Sequence, residues 1–279
     1  MKHMTILLLN ILIACQPATE QAGQSAQTDP LTPSNSNTEE DVAPDTSNLE
    51  RARAMGFDVQ YLMGRFDPAE HPDFTQIPGK YADREGLLLR KDTYEAFLRM
   101  HEAAQADGVQ LVIRSATRNF NYQKGIWERK WTGQRKLSSG ENAAHAFPNP
   151  EARALEILKY SSMPGTSRHH WGTDIDLNSF NNSYFEQGEG KKIYDWLSAH
   201  AAHFGFCQPY SPKGPKRPNG YNEEKWHWSY LPVAQPLTAL AKAALKNEMI
   251  TGFKGAETAT DIMVVDNYVL GINDLCMTE

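Results

Sequence analysis

Tyr94, Phe97, Leu98 and His101 repeat at helical spacing behind Asp92, a residue suited to an N-cap, and Gly108 stops the pattern. A helix is predicted there. Val109 to Ile113 (VQLVI) follows as a short buried strand that delivers the chain to Arg114-Ser115-Ala116-Thr117-Arg118. Residues 119–133 and 151–160 read as helices, with 134–150 as the loop between them. Gly172 to Leu177 (GTDIDL) alternates polar and apolar positions, which suits a strand carrying Asp174 and Asp176 on one face. Ile193, Tyr194, Leu197 and Ala201 again repeat helically and stop at Gly205. Residues 208–222 are rich in Pro, Gly and Lys, and 236–248 form a further predicted helix. Asp266-Asn267, between two short apolar runs, suggests a terminal hairpin. No internal repeat is visible, and helices and strands mix without regular βαβ alternation. The class expected is therefore α+β in one domain.

The N-terminus follows different rules. Lys2 precedes a ten-residue apolar run, Thr5 to Ala14, that is too short to span a bilayer as a mature helix and reads as a secretory signal. Its end, Leu12-Ile13-Ala14-Cys15, resembles the lipobox of bacterial lipoproteins, which implies lipidation of Cys15, the new N-terminus. Gln16 lacks the acidic residue associated with inner-membrane retention, so the expected location is the periplasmic face of a bacterial membrane, the outer one in a Gram-negative cell. Residues 16–50 hold seven acids and no base, and up to about Asn48 there is no aromatic residue. Such a segment buries too little to offset its ordering entropy and is read as a tether. The domain plan is then a signal at 1–15, a disordered tether at 16–50, a catalytic domain at 51–231 and a packed extension at 232–279.

With 28 Lys and Arg against 34 Asp and Glu, the net charge of −6 sits in the tether and leaves 51–279 neutral. A neutral body offers no broad electrostatic footprint for nucleic acid, so that class of partner is disfavoured. Two cysteines remain, Cys207 and Cys276. In an oxidising compartment a bridge between them is expected, with two buried free thiols as the alternative.

Chemistry-bearing residues cluster in three places: Ser115 to Gln123, Ser167 to Asp176, and Glu224-Lys225-Trp226-His227. Imidazole nitrogen and carboxylate oxygen are good Zn²⁺ ligands, and a catalytic zinc uses three protein donors with one position left for water. His169, Asp176 and His227 would supply such a set. Glu224 lies three residues before His227, close enough to serve as a general base. The pair His200 and His203 has no third ligand at a matching position and reads as surface or satisfied core histidines. Lys213, Lys216 and Arg217 read as a solvated basic loop.

Taken together, S-x-H-x-x-G-x-x-x-D followed by E-x-W-H resembles the VanY-type D-alanyl-D-alanine carboxypeptidases, within the wider group that includes lysostaphin-like enzymes and the hedgehog domain. Ser115-Ala116-Thr117-Arg118-Asn119-Phe120 with Gln123 is similar to a further segment of that family. The resemblance implies a single hedgehog/DD-peptidase-like domain, with a small antiparallel sheet flanked by helices. It implies one Zn²⁺ held by His169, Asp176 and His227, Glu224 as catalytic base, and Arg118 as oxyanion and substrate ligand. Ser167, Gln123 and Ser115 match positions near the substrate's terminal residue. Asp174 replaces the family's usual Ala, and could hydrogen-bond a ligand imidazole or change which substrate end is accepted.

The activity so implied is D,D-carboxypeptidase action on peptidoglycan stem peptides. An L,D-carboxypeptidase or endopeptidase would use the same centre, and a zinc-bearing binding module without catalysis is the rival from another class. The presence of both Glu224 and Arg118 argues against that rival.

Overall fold

The computed structural model describes residues 46–277. The signal, Cys15 and most of the tether therefore lie outside the described residues. The segment assigned to the tether ends earlier than expected, because helix α1 already begins within it, at Thr46–Ala54. The short helix α2 (Val59–Leu62) follows, capped by Asp58, whose side chain accepts from the Tyr61 N–H at 2.8 Å. Strands β1 (Phe74–Gln76) and β2 (Leu88–Arg90) pair antiparallel and lead into helix α3 (Lys91–Ala106), the first helix anticipated from periodicity.

Strand β3 (Ile113–Ser115) starts at the end of the apolar run rather than at Val109. Val109 and Leu111 are buried as expected, but the backbone at Val112 bonds Asn178 instead of a strand. Helix α4 (Phe120–Trp131) is capped by Asn119, and the short α5 (Ala143–Ala146) interrupts the span read as loop. Next come α6 (Pro150–Ile157), β4 (Asp174–Leu177), α7 (Gly188–His200), β5 (Phe206–Cys207) and β6 (His227–Tyr230). The chain then runs into α8 (Leu231–Ala244) and α9 (Thr258–Asp261).

The central sheet is antiparallel in the order β3-β4-β6-β5. Its register sets Ser115 beside Asp176 and Asp176 beside His227. Because side chains alternate across a strand, Asp174 and Asp176 share one face while Ile175 and Leu177 occupy the other. The apolar face packs on Phe97 and Met100 of α3 and on Ile193 and Leu197 of α7, forming one core. A second core holds residues of α1, α4, α6 and α8.

The extension is packed on the domain. Helix α8 lies against α1, and a disulfide joins Cys207 to Cys276. The expected terminal hairpin does not form. Val265–Val269 instead make a single π-helical turn with Val265 and Val269 buried, and Asn267 Nδ2 donates to the Ile262 carbonyl at 2.8 Å. Arg217 also departs from expectation: far from solvated, it is buried and donates to the carbonyls of Asn219, Tyr221 and Ser211. No helix among the described residues is long and apolar enough to cross a membrane.

Candidate metal centre and active site

His169 sits in a tight 3-10 turn, Arg168–Trp171, all four of whose residues are buried. The turn closes at Gly172 with φ +74, and a Cβ there would run into the Phe74 ring and the Arg90 side chain. Only glycine fits that position, which accounts for the glycine in the motif. The segment Ser115–Arg118 is stitched to this turn. His169 Nδ1 faces the Ala116 carbonyl at 2.8 Å, the Arg118 N–H donates to the His169 carbonyl at 3.1 Å, and His170 Nδ1 faces the Arg118 carbonyl at 2.5 Å. A proton on His169 Nδ1 directs the Nε2 lone pair inward.

His227 is oriented the opposite way. Its Nε2 lies 2.9 Å from Asp174 Oδ1, so a proton there frees Nδ1, which lies 3.3 Å from Asp176 Oδ1 and 3.1 Å from Glu224 Oε2. His169 Nε2 is 3.3 Å from Asp176 Oδ2. One donor atom from each of His169, Asp176 and His227 lies within 4.8 Å of the other two, and all three residues are buried. A tetrahedral zinc with bonds near 2.1 Å separates its ligands by about 3.4 Å. The two histidine–aspartate spacings match that edge. His169 Nε2 and Asp176 Oδ1 are also buried without any hydrogen bond. Polar atoms are rarely left so in an interior, and a cation between them would satisfy both. The residues present fit one Zn²⁺.

The charge balance agrees. Asp174, Asp176 and Glu224 crowd around His227, while Arg118 and Arg168 are the guanidiniums beside them. Burial alone would lower the His227 pKa, but the carboxylates of Asp174, Asp176 and Glu224 around it push it well above the ordinary value. Burial likewise opposes ionisation of Asp176, yet the two imidazoles hold it well below the carboxylate range. Burial lowers the His169 pKa, and Arg118 lowers it further, so this imidazole stays neutral. Glu224 is raised by burial, with His227 opposing. A carboxylate poised upward in this way is suited to accept and return a proton.

Asp174 is held by more than His227. Arg168 Nε lies 3.2 Å from its Oδ1, and Thr173 and Ser229 donate to Oδ2 at 2.5 and 3.0 Å. Arg168 also reaches Thr238 Oγ1 and Ser229 Oγ at 3.0 and 2.9 Å. Burial would raise the Asp174 pKa, but Arg168 and His227 hold it well down. The aspartate that departs from the usual Ala is thus ionised and anchors the His227 imidazole.

A cleft of about 920 Å³ opens over the cluster. Arg118 lines it, donates from Nη1 to Ser115 Oγ at 2.8 Å and stands 3.6 Å from Asp176 Oδ2, while its Nε has no partner. Gln123 also lines the cleft, with Nε2 on the Ser162 carbonyl at 2.8 Å and Oε1 unpartnered. Ser115 lines it too. Ser167 does not: it is wholly buried, and its Oγ is unpartnered and outside the cleft lining. A substrate role for Ser167 therefore needs contact that this geometry does not offer. The His200 and His203 rings lie 6.1 Å apart and tilted, with His200 against Trp196, and neither lines the cleft.

Sequence reasoning missed Tyr210 and Tyr221. Both line the cleft, and the Tyr210 ring meets His227 edge-on at 4.6 Å. They come from the Pro- and Gly-rich loop, where no periodicity marks a functional position. Their closeness in sequence to the E-x-W-H segment was the available signal.

A family model described as D-alanyl-D-alanine carboxypeptidase, VanY, matches residues 86–233. A D-alanyl-D-alanine carboxypeptidase of Enterococcus faecalis is 26% identical over 200 residues, covering 68% of this chain and 66% of that protein. The Bacillus subtilis protein YodJ is 27% identical over 195 residues, covering 66% of this chain and 61% of YodJ. The chain thus spans just under two thirds of the length of these curated relatives. Among solved structures, VanYB in complex with D-alanine-D-alanine is 23% identical, with a TM-score of 0.44 over 63% of this chain and 87% of that one.

Proposed function

The chain belongs to the VanY family of D-alanyl-D-alanine carboxypeptidases, and from that premise we propose that it is a zinc-dependent D,D-carboxypeptidase trimming the terminal D-alanine from peptidoglycan stem peptides. The observation that carries the reading is the convergence of His169, Asp176, His227 and Glu224 beneath an open cleft. Two of the donor atoms there are buried with nothing to bond.

His169 Nε2, Asp176 and His227 Nδ1 would hold the ion. When bound, it supplies Lewis acidity and brings water to a reactive pKa near neutrality. Glu224 Oε2 takes the proton from the attacking water and later returns it to the leaving amine. Burial serves this cycle by keeping the carboxylate's proton affinity high. Arg118 faces the cleft from beside Asp176, where its guanidinium can stabilise the negative charge that develops on the scissile carbonyl oxygen. Ser115 Oγ, which accepts from the guanidinium, holds that side chain, and the bonds to His169 and His170 fix its backbone before substrate arrives.

Mass analysis of purified muropeptides tests the reading. Pentapeptides should lose a single D-alanine, whereas products limited to trimmed tetrapeptides or cut crosslinks would transfer the same centre to L,D- or endopeptidase action. Glu224→Gln should retain one zinc per chain and lose turnover by about 10²-fold or more. If zinc is lost together with activity, Glu224 belongs to the metal site and not to proton transfer.

A further inference from the structure

The cleft contains a cation that the mechanism leaves unused. Lys130 stands in the last turn of α4, on the face that also turns Gln123 and Ile126 toward the cleft. That spacing of three, four and seven residues lines one side of a helix. Lys130 is half-buried, and its Nζ donates to Ser161 Oγ at 2.5 Å. An ammonium carries three donors, and this bond uses one.

Other cations along the cleft are already matched or lie in solvent. Lys159 pairs with Glu156 at 2.6 Å and Arg118 with Asp176 at 3.6 Å, while Arg135 and Lys136 are exposed. Lys130 has no carboxylate partner among the described residues. Burial pushes its pKa down to about 8, with Arg135 adding to the effect and Glu224 opposing it. A charge withdrawn from water without a counter-ion is costly, and interiors keep such a group when something pairs with it. The C-terminal end of α4, with its negative dipole, offsets part of that cost and supplies no hydrogen-bonding anion.

We propose that Lys130 is a specificity residue whose ammonium binds a carboxylate of the substrate peptide within the cleft. The proposal rests on the peptidase reading for the identity of its ligand. A stem peptide offers two such groups, the terminal carboxylate of the leaving residue and the carboxylate of an acidic side chain upstream of the cleaved bond. The chemistry is the same for both, and Gln123 and Lys130 bond the adjacent residues Ser162 and Ser161, so their heads converge on one stretch of the cleft wall.

Three synthetic peptides ending in D-Ala-D-Ala separate the sources: one with both carboxylates free, one with the side chain amidated, and one with the C-terminus amidated. Hydrolysis is followed as release of D-alanine, or of D-alaninamide from the third peptide, and affinity is measured by calorimetry in the Glu224→Gln background. Lys130→Met should raise KM for the doubly free peptide by about tenfold to a hundredfold, the scale of a lost charge-assisted hydrogen bond, with kcat within about twofold. Lys130→Arg should hold KM within about threefold of the parent. If side-chain amidation alone abolishes the Met effect, the upstream carboxylate is the ligand; if only C-terminal amidation abolishes it, the leaving residue supplies it. Equal KM and affinity of Lys130→Met and the parent on all three peptides overturn the proposal, while continued D-alanine release leaves the hydrolase reading intact. Lys130-dependent affinity without any D-alanine release keeps the proposal and overturns the hydrolase reading. No affinity and no release overturn both.

Discussion

Both ring nitrogens of His170 are committed in the neutral state. Nδ1–H donates to the Arg118 carbonyl, and Nε2 accepts from the Gly165 N–H at 3.0 Å. A second proton would set one N–H against another in a fully buried site. Burial accordingly lowers its pKa to about 3. The folded value lies below the unfolded one, so this contribution to stability is complete above pH 6.5 and is lost as pH falls towards 3. Linkage puts it on the order of 4 kcal/mol. Denaturant unfolding at pH 7, 5 and 4 should show a shallower loss in His170→Gln than in the parent, because glutamine offers a donor and an acceptor without a titrating proton. Parallel pH slopes would show that His170 does not titrate on unfolding. This role for His170 was not legible in the sequence, because a neighbour about fifty residues away defines it. The same holds for Arg168, the unnamed position in S-x-H, whose partners Asp174, Ser229 and Thr238 belong to three separate segments.

Register, at the scale of elements, turns separate motifs into one centre. Aligning Ser115, Asp176 and His227 across β3, β4 and β6 brings together residues drawn from three distant stretches. Alternation in GTDIDL made the aspartate face readable, whereas the short β3 was displaced because an apolar run reports burial and not pairing. Helix α8 shows another limit of local patterns. Pro236 lies inside it and lacks the N–H that would bond the Pro232 carbonyl. Arg51 of α1 donates to that carbonyl from Nη2 at 3.0 Å instead. This gives a polar reason, beside the apolar contacts, for α1 to dock on α8. Arg51→Met should therefore cost about 1 kcal/mol in denaturant unfolding. In a Pro236→Ala background, where the helix can restore its own bond, the same substitution should cost less. An equal cost in both backgrounds would show that Arg51 stabilises α1 by other contacts.

For the whole molecule, residues 232–277 of the extension hold the wall of the cleft from behind. Cys276 is bonded to Cys207 at the entrance to the 208–222 loop. Next to it, the Asn273 N–H donates to the Pro209 carbonyl at 2.8 Å and Asn273 Nδ2 to the Gln208 carbonyl at 3.3 Å. Gln208 Nε2 in turn donates to the Glu224 carbonyl at 3.1 Å, and the Glu224 N–H donates to the Tyr210 carbonyl at 3.0 Å. At the loop's far end the Tyr221 ring meets Tyr268 edge-on at 5.2 Å. A chain of contacts thus runs from the disulfide to the backbone of the proposed base. The metal donors themselves stand on the central sheet and the 3-10 turn, outside this chain. Replacing both cysteines by serine should lower stability by about 4 kcal/mol, the loop-closure scale for a bridge spanning 69 residues. Zinc stoichiometry should survive, while kcat/KM for D-alanine release falls several-fold as Glu224 and the two tyrosines lose their fixed support. Thermal melting, metal analysis and kinetics on one preparation separate these effects. Unchanged kinetics in a variant with the expected loss of stability would show that the extension serves folding alone, and zinc loss would show that the loop also supports the metal site.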